Sequence, residues 1–113
     1  MTARPKEAPA RSEAYRREVA KLACSYCEIE GMSQAAHPPP TGKGIKADDR
    51  ECFPMCCTRP GTPGCHALFD QYKLMHTADM RDFAKVAAKD TRDLIDGNGM
   101  WPKGLPKWLG EKQ

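Results

Sequence analysis

Cysteines gather in two places in this chain. One is the turn CSYC at residues 24–27, and the other is Cys56, Cys57 and Cys65 around the loop TRPGTPG, with Cys52 just upstream. A CxxC turn sets two sulfurs on one side of an ion, and zinc takes four thiolate or imidazole ligands in a tetrahedron. The second pair would come from the two ends of the loop. Eight residues separate Cys56 from Cys65, so the Pro/Gly segment must bulge outward while its ends stay close. The expected ligands of a structural Zn2+ are therefore Cys24, Cys27, Cys56 and Cys65, with Cys52 and Cys57 spare or substitutes for Cys56. A redox CxxC is an alternative, but no βαβ pattern surrounds Cys24. Ordinary buried thiols are another.

A second group is His37, Asp49, His66 and Asp70. His66 and Asp70 stand four apart, so on a helix both side chains leave one face and can share an ion. An imidazole and a carboxylate together suit Mg2+, Mn2+, Zn2+ or Ni2+. His37 closes a short run before a Pro/Gly/Lys loop and is placed to act as a general base on water. The glycines of TGKGIKADD permit close backbone approach to a phosphate, with Lys43 and Lys46 to neutralise it. Spacing alone fits equally a structural histidine, a solvated carboxylate and a solvated turn.

Short elements must bring these residues together. Ser12 is a candidate N-cap for a helix through Leu22, with Tyr15, Val19 and Leu22 on one face. Short strands are expected near residues 33–37 and 52–55, and a helix opens at about Cys65. The longest helix is capped by Thr77 and ended by Gly97 or Gly99, with Met80, Phe83, Ala84, Ala87, Leu94 and Ile95 on its apolar face. Trp101 and Trp108 are packing anchors in a tail broken by Pro and Gly. The chain divides into a flexible tail, 1–11, and one domain, 12–113. Within that domain the core covers about 24–76, the C-terminal helix about 77–96, and an irregular tail 97–113.

Composition explains why a metal is needed. The chain has 113 residues, 40% of them hydrophobic, with only three Phe against ten Pro and nine Gly. Small, loop-rich domains of this kind lean on a disulfide or a metal. The N-terminus lacks the apolar segment of a secretory signal, and no run approaches the roughly 20 apolar residues of a membrane span. A cytoplasmic location follows, where thiols stay reduced and metal is favoured over disulfides. The formal charge of +3 permits a nucleic-acid partner without demonstrating one.

Taken in order, CSYC, QAAH, GKGIKADD, FPMC and CHALFD resemble the HNH, or ββα-metal, nuclease superfamily. The likeness is greatest to small phage and prophage HNH proteins related to recombination-enhancing nucleases, and it covers roughly Cys24 to Gln71. It implies an α+β fold, in which a small zinc-stabilised ββα-metal core carries an N-terminal and a C-terminal helix packed on it. It also assigns roles: His37 as general base, Asp49 as the residue orienting that base, and His66 and Asp70 as ligands of a catalytic divalent ion such as Mg2+. The zinc knuckle of the family falls on Cys24, Cys27, Cys56 and Cys65. Two departures stand out. Many relatives have an acidic or histidine ligand just before the base, where this chain has Ala36, and Asp70 replaces a more familiar histidine.

The implied function is a metal-dependent DNA endonuclease of a phage or prophage, acting in the bacterial host cytoplasm, with a recombinase as a candidate partner. The alternatives are a zinc-stabilised DNA- or protein-binding module that has lost the chemistry, and a thiol switch using Cys24 and Cys27.

Overall fold

The computed structural model describes residues 9–39 and 47–108. Its elements in chain order are helix α1 (Glu13–Ala20), strand β1 (Ser33–Ala36), a 3₁₀ turn (Asp49–Glu51), strand β2 (Phe53–Cys56), helix α2 (Cys65–Asp70) and helix α3 (Thr77–Gly97). The strands pair antiparallel, with Ser33 opposite Cys56 and Ala36 opposite Phe53. The architecture is a small α+β fold.

A two-stranded sheet is marginal in water and needs both faces covered. Alternation along the strands supplies the two faces. Ala36, Phe53 and Met55 join Phe69 of α2 and Met80, Ala84, Ala87 and Ala88 of α3 in one core cluster. Cys52 is buried with Tyr15 and Val19 of α1 and with Ile95, and Ala35 packs against them. Helix α2 and the first half of α3 thus cover one side, and α1 with Ile95 near the end of α3 the other. All three phenylalanines of the chain meet, with Phe53 5.6 Å from Phe69 and 5.9 Å from Phe83 between ring centroids, both edge-on. Edge-to-face rings gain more than their buried area alone, which suits a core with few large side chains.

The helix ends follow local chemistry. Ser12 accepts from the Tyr15 amide at 3.0 Å, the N-cap expected of it. Helix α2 stops after Asp70 because Tyr72 takes a left-handed conformation, φ 61°. The Tyr72 and Lys73 amides then donate back to the Phe69 and Leu68 carbonyls. At the end of α3, Gly99 (φ 74°) does the same job, with its amide on Asp96 and that of Met100 on Ile95. Both ends are Schellman motifs.

Two details of α3 differ from the sequence reading. Its N-cap is His76, whose Nδ1 accepts from the Ala78 amide at 3.4 Å, and Thr77 is the first helical residue. Leu94 is exposed, while Ala88, Thr91 and Arg92 are buried. The inward stripe runs 80, 84, 87, 88, 91, 92, 95, and Leu94 falls at its edge. Arg92 is tolerated inside because it donates to the Arg50 carbonyl at 2.9 Å and its guanidinium lies 4.7 Å over the Trp108 ring. Trp101 stacks edge-on against Tyr15 at 5.1 Å. Both tryptophans therefore anchor the tail.

Phe83 is half-buried against the core, touching the Phe53 and Phe69 rings. Phe83→Ala should cost about 2 kcal/mol, less than the ~3–5 of a fully enclosed ring. Urea unfolding midpoints of wild type and variant measure it.

Candidate functional site

The four cysteines singled out by spacing come together. One sulfur from each of Cys24, Cys27, Cys56 and Cys65 lies within 4.8 Å of all the others. The Cys27 and Cys56 sulfurs are 3.8 Å apart. Zinc–sulfur bonds of about 2.3 Å give a tetrahedral edge of roughly 3.8 Å, so the donor set fits a structural metal such as zinc. Cys57 and Cys52 stand outside the group.

Three segments converge here, each with a local reason. The 24–27 turn is closed by the Glu28 amide on the Cys24 carbonyl at 2.9 Å and the Cys24 amide on the Ile29 carbonyl at 3.0 Å. The Tyr26 and Cys27 amides face the Cys24 sulfur, and the Ser25 amide ties the turn to Pro54 of β2 at 2.8 Å. The TRPGTPG loop folds on itself through paired Arg59–Thr62 backbone bonds, both 2.9 Å, with Gly61 at φ 74°. Gly64 then presses on the end of β2. A Cβ there would stand 2.3 Å from the Cys57 carbonyl carbon and 2.5 Å from the Cys56 carbonyl oxygen. That approach brings the Cys65 amide to 3.3 Å from the Cys56 sulfur.

Burial raises the cost of ionising Cys56, but the Cys65 amide, Arg59 and neighbouring thiols outweigh it and bring the thiol down to about 6. Burial and the Cys56 sulfur push Cys65 the other way. Of these two, Cys56 is the one whose thiolate the surroundings favour, a start toward the thiolates a metal requires.

The second constellation forms a cleft of about 320 Å³ on which His37, His66 and Asp70 all open, walled by Pro38, Pro39 and Phe69. His66 and Asp70 do share one helix face, with Nε2 3.4 Å from Oδ2. The other ring nitrogen, Nδ1, is 2.8 Å from the Gln34 Oε1. The pair offers one nitrogen and one oxygen donor.

His37 is held from behind. Its Nε2 lies 3.0 Å from Oδ1 of Asp49, a carboxylate with no solvent exposure. An ionised carboxylate only accepts, so Nε2 carries the proton and Nδ1 keeps the lone pair. The other Asp49 oxygen takes the Ser12 amide at 2.7 Å and the Arg16 guanidinium. Burial opposes the charge on Asp49, yet the Ser12 amide, His37 and Arg16 hold its carboxyl below the usual range. Cys52 also lies within 4.8 Å of His37 and Asp49. Arg16 against the same carboxylate disfavours a cation there, and burial, first, with Asp49 pushes the Cys52 thiol up to about 12. Cys52 is a packing residue.

Ala36 is fully buried in the core cluster. An acid at 36 would have to leave water and face Phe53 and Met55. The strand turns the side chain at 36 inward, away from the cleft-facing position that a ligand just before the base would need. Lys43 and Lys46 lie outside the described residues. Among the described residues, no helix is long and apolar enough to cross a membrane. No protein-family model, curated protein or solved structure matches the chain.

Sequence reasoning missed Arg16, Gln34, Arg59 and Gly64. Only Gly64 left a signal, since a glycine directly before a ligand cysteine suggests close backbone approach.

The geometry fixes the outcome of three substitutions. Gly64→Ala should displace the loop from Cys56, lowering bound metal per chain and thermal stability together. Gly61→Ala, where nothing lies within 4 Å, should cost only the left-handed strain of about 1–2 kcal/mol and leave metal content intact. Metal analysis alongside thermal melts reads both. Asp49→Ala should cost about 2–3 kcal/mol, because it strands the Ser12 amide and Arg16. The depressed carboxyl gives the sign with pH. Its contribution is complete above about pH 4 and lost as pH falls through the lowered folded value, which denaturant titrations across pH will track.

Proposed function

We propose that this chain is a metal-dependent DNA endonuclease of the HNH, or ββα-metal, type, hydrolysing phosphodiester bonds. The observation that carries the reading is the single cleft on which His37, His66 and Asp70 open, with His37 backed by a buried carboxylate. A strand-end base facing a helix that bears two ligands is the arrangement the resemblance implies. The Cys24, Cys27, Cys56 and Cys65 cluster fits the accompanying structural Zn2+.

Each side chain has a task in this reading. His37 takes a proton from water at Nδ1, and Asp49 stabilises the imidazolium that forms while fixing the ring. Arg16 and the Ser12 amide keep Asp49 ionised, so it does not compete for that proton. His66 Nε2 and Asp70 Oδ2 would hold the cation. A divalent ion there supplies Lewis-acid stabilisation of charge on the phosphate and the leaving oxygen. Phage origin and work beside a recombinase belong to the same reading.

The buried Ala36 favours a second reading. It leaves two protein donors for the ion, fewer than many relatives offer, and suits a zinc-stabilised DNA- or protein-binding module without chemistry.

Plasmid nicking with Mg2+, Mn2+ or Ni2+ separates the two. His37→Ala should lower turnover by about 10²–10⁴-fold with DNA affinity and zinc content nearly unchanged. Asp70→Ala should show a defect that shrinks as Mn2+ is raised. Zinc-loaded wild type that binds DNA but never nicks it would establish the binding module instead.

A further inference from the structure

Gln34 is exposed on β1, two residues before the buried Ala36. Its amide oxygen nevertheless sits 2.8 Å from Nδ1 of His66, 32 positions further along the chain. A carbonyl oxygen only accepts, so this contact places the His66 proton on Nδ1. The bare nitrogen is then Nε2, which lies 3.4 Å from the Asp70 oxygen. Which nitrogen of a histidine is free to bind a metal is set by the hydrogen bond that the other one makes.

We infer that Gln34 is a positioning residue for the cation site: it holds His66 as the Nδ1–H tautomer and aims Nε2 at a divalent ion shared with Asp70. The inference rests on the nuclease reading of the cleft. The contact also ties the strand that ends at His37 to the helix that carries the two ligands. One hydrogen bond therefore sets both the tautomer of a ligand and the spacing between the two walls of the cleft. A single exposed hydrogen bond adds little to stability, so its removal should leave the fold in place.

The test uses the full zinc-loaded chain. Nitrogen-15 NMR of the imidazoles, at a pH where His66 is neutral, reports the tautomer, and calorimetric titration with Mn2+ reports affinity. Wild type should show His66 protonated at Nδ1. Gln34→Leu should lose that preference and weaken Mn2+ binding about 10–100-fold, with the melting temperature nearly unchanged. Gln34→Glu keeps an acceptor at the same reach and should retain both the tautomer and the affinity. An Nε2–H tautomer in wild type, or Mn2+ affinity untouched by Gln34→Leu, overturns the role given to Gln34 alone. Failure of wild type to bind Mn2+ overturns the nuclease reading and this inference with it.

Discussion

The convergence of four sulfurs constrains everything else in this small protein. The 24–27 turn, the end of β2 and the start of α2 are separate in sequence and meet within 4.8 Å at Cys24, Cys27, Cys56 and Cys65. None of the three segments is long enough to hold its place alone: each strand has four residues and α2 has six. Without a cation the crowded sulfurs resist a second ionisation, as the upward push on Cys65 shows, whereas a bound zinc turns thiolate charge into folding free energy. Because Cys65 opens α2, fixing its sulfur also fixes where the next residue, His66, and Asp70 one turn later must stand.

A second anchor works on the opposite wall of the cleft. Asp49 is buried, and its two oxygens are shared among His37, Arg16 and the Ser12 amide. A buried carboxylate with one partner removed is costly, so α1 and His37 stay in one relation. The cluster positions His66 and Asp70, and the carboxylate positions His37. Gln34 links the two. The tail adds support from outside, with Trp108 against Arg50 and Arg92.

Much of this was legible because it rested on local patterns. Ser12 as a cap, the opening of α2 at Cys65 and the bulging TRPGTPG loop each follow from residues within a few positions. The four-cysteine set was legible because ligand spacing has few solutions. Spacing pointed to Cys56 but left Cys52 and Cys57 as substitutes for it. Position along the chain separates them: Cys52 precedes β2 and packs with Tyr15 and Val19, while Cys56 ends the strand, where the close approach of Gly64 brings Cys65 to it. The roles of Arg16 and Gln34 were hidden, since each acts across more than 30 positions on a partner that only the fold supplies. The inward turn of Ala36 likewise needs the sheet register. Leu94 was misplaced because an apolar residue at the edge of a helical stripe matches the pattern as well as one at its centre.

The central claim is that a metal held by these four sulfurs organises the fold. X-ray absorption at the zinc edge of the purified protein tests it most directly. The account predicts one zinc per chain, surrounded by four sulfurs at about 2.3 Å. A folded protein whose zinc has nitrogen or oxygen neighbours in place of one or more sulfurs, or that holds no metal, would contradict it.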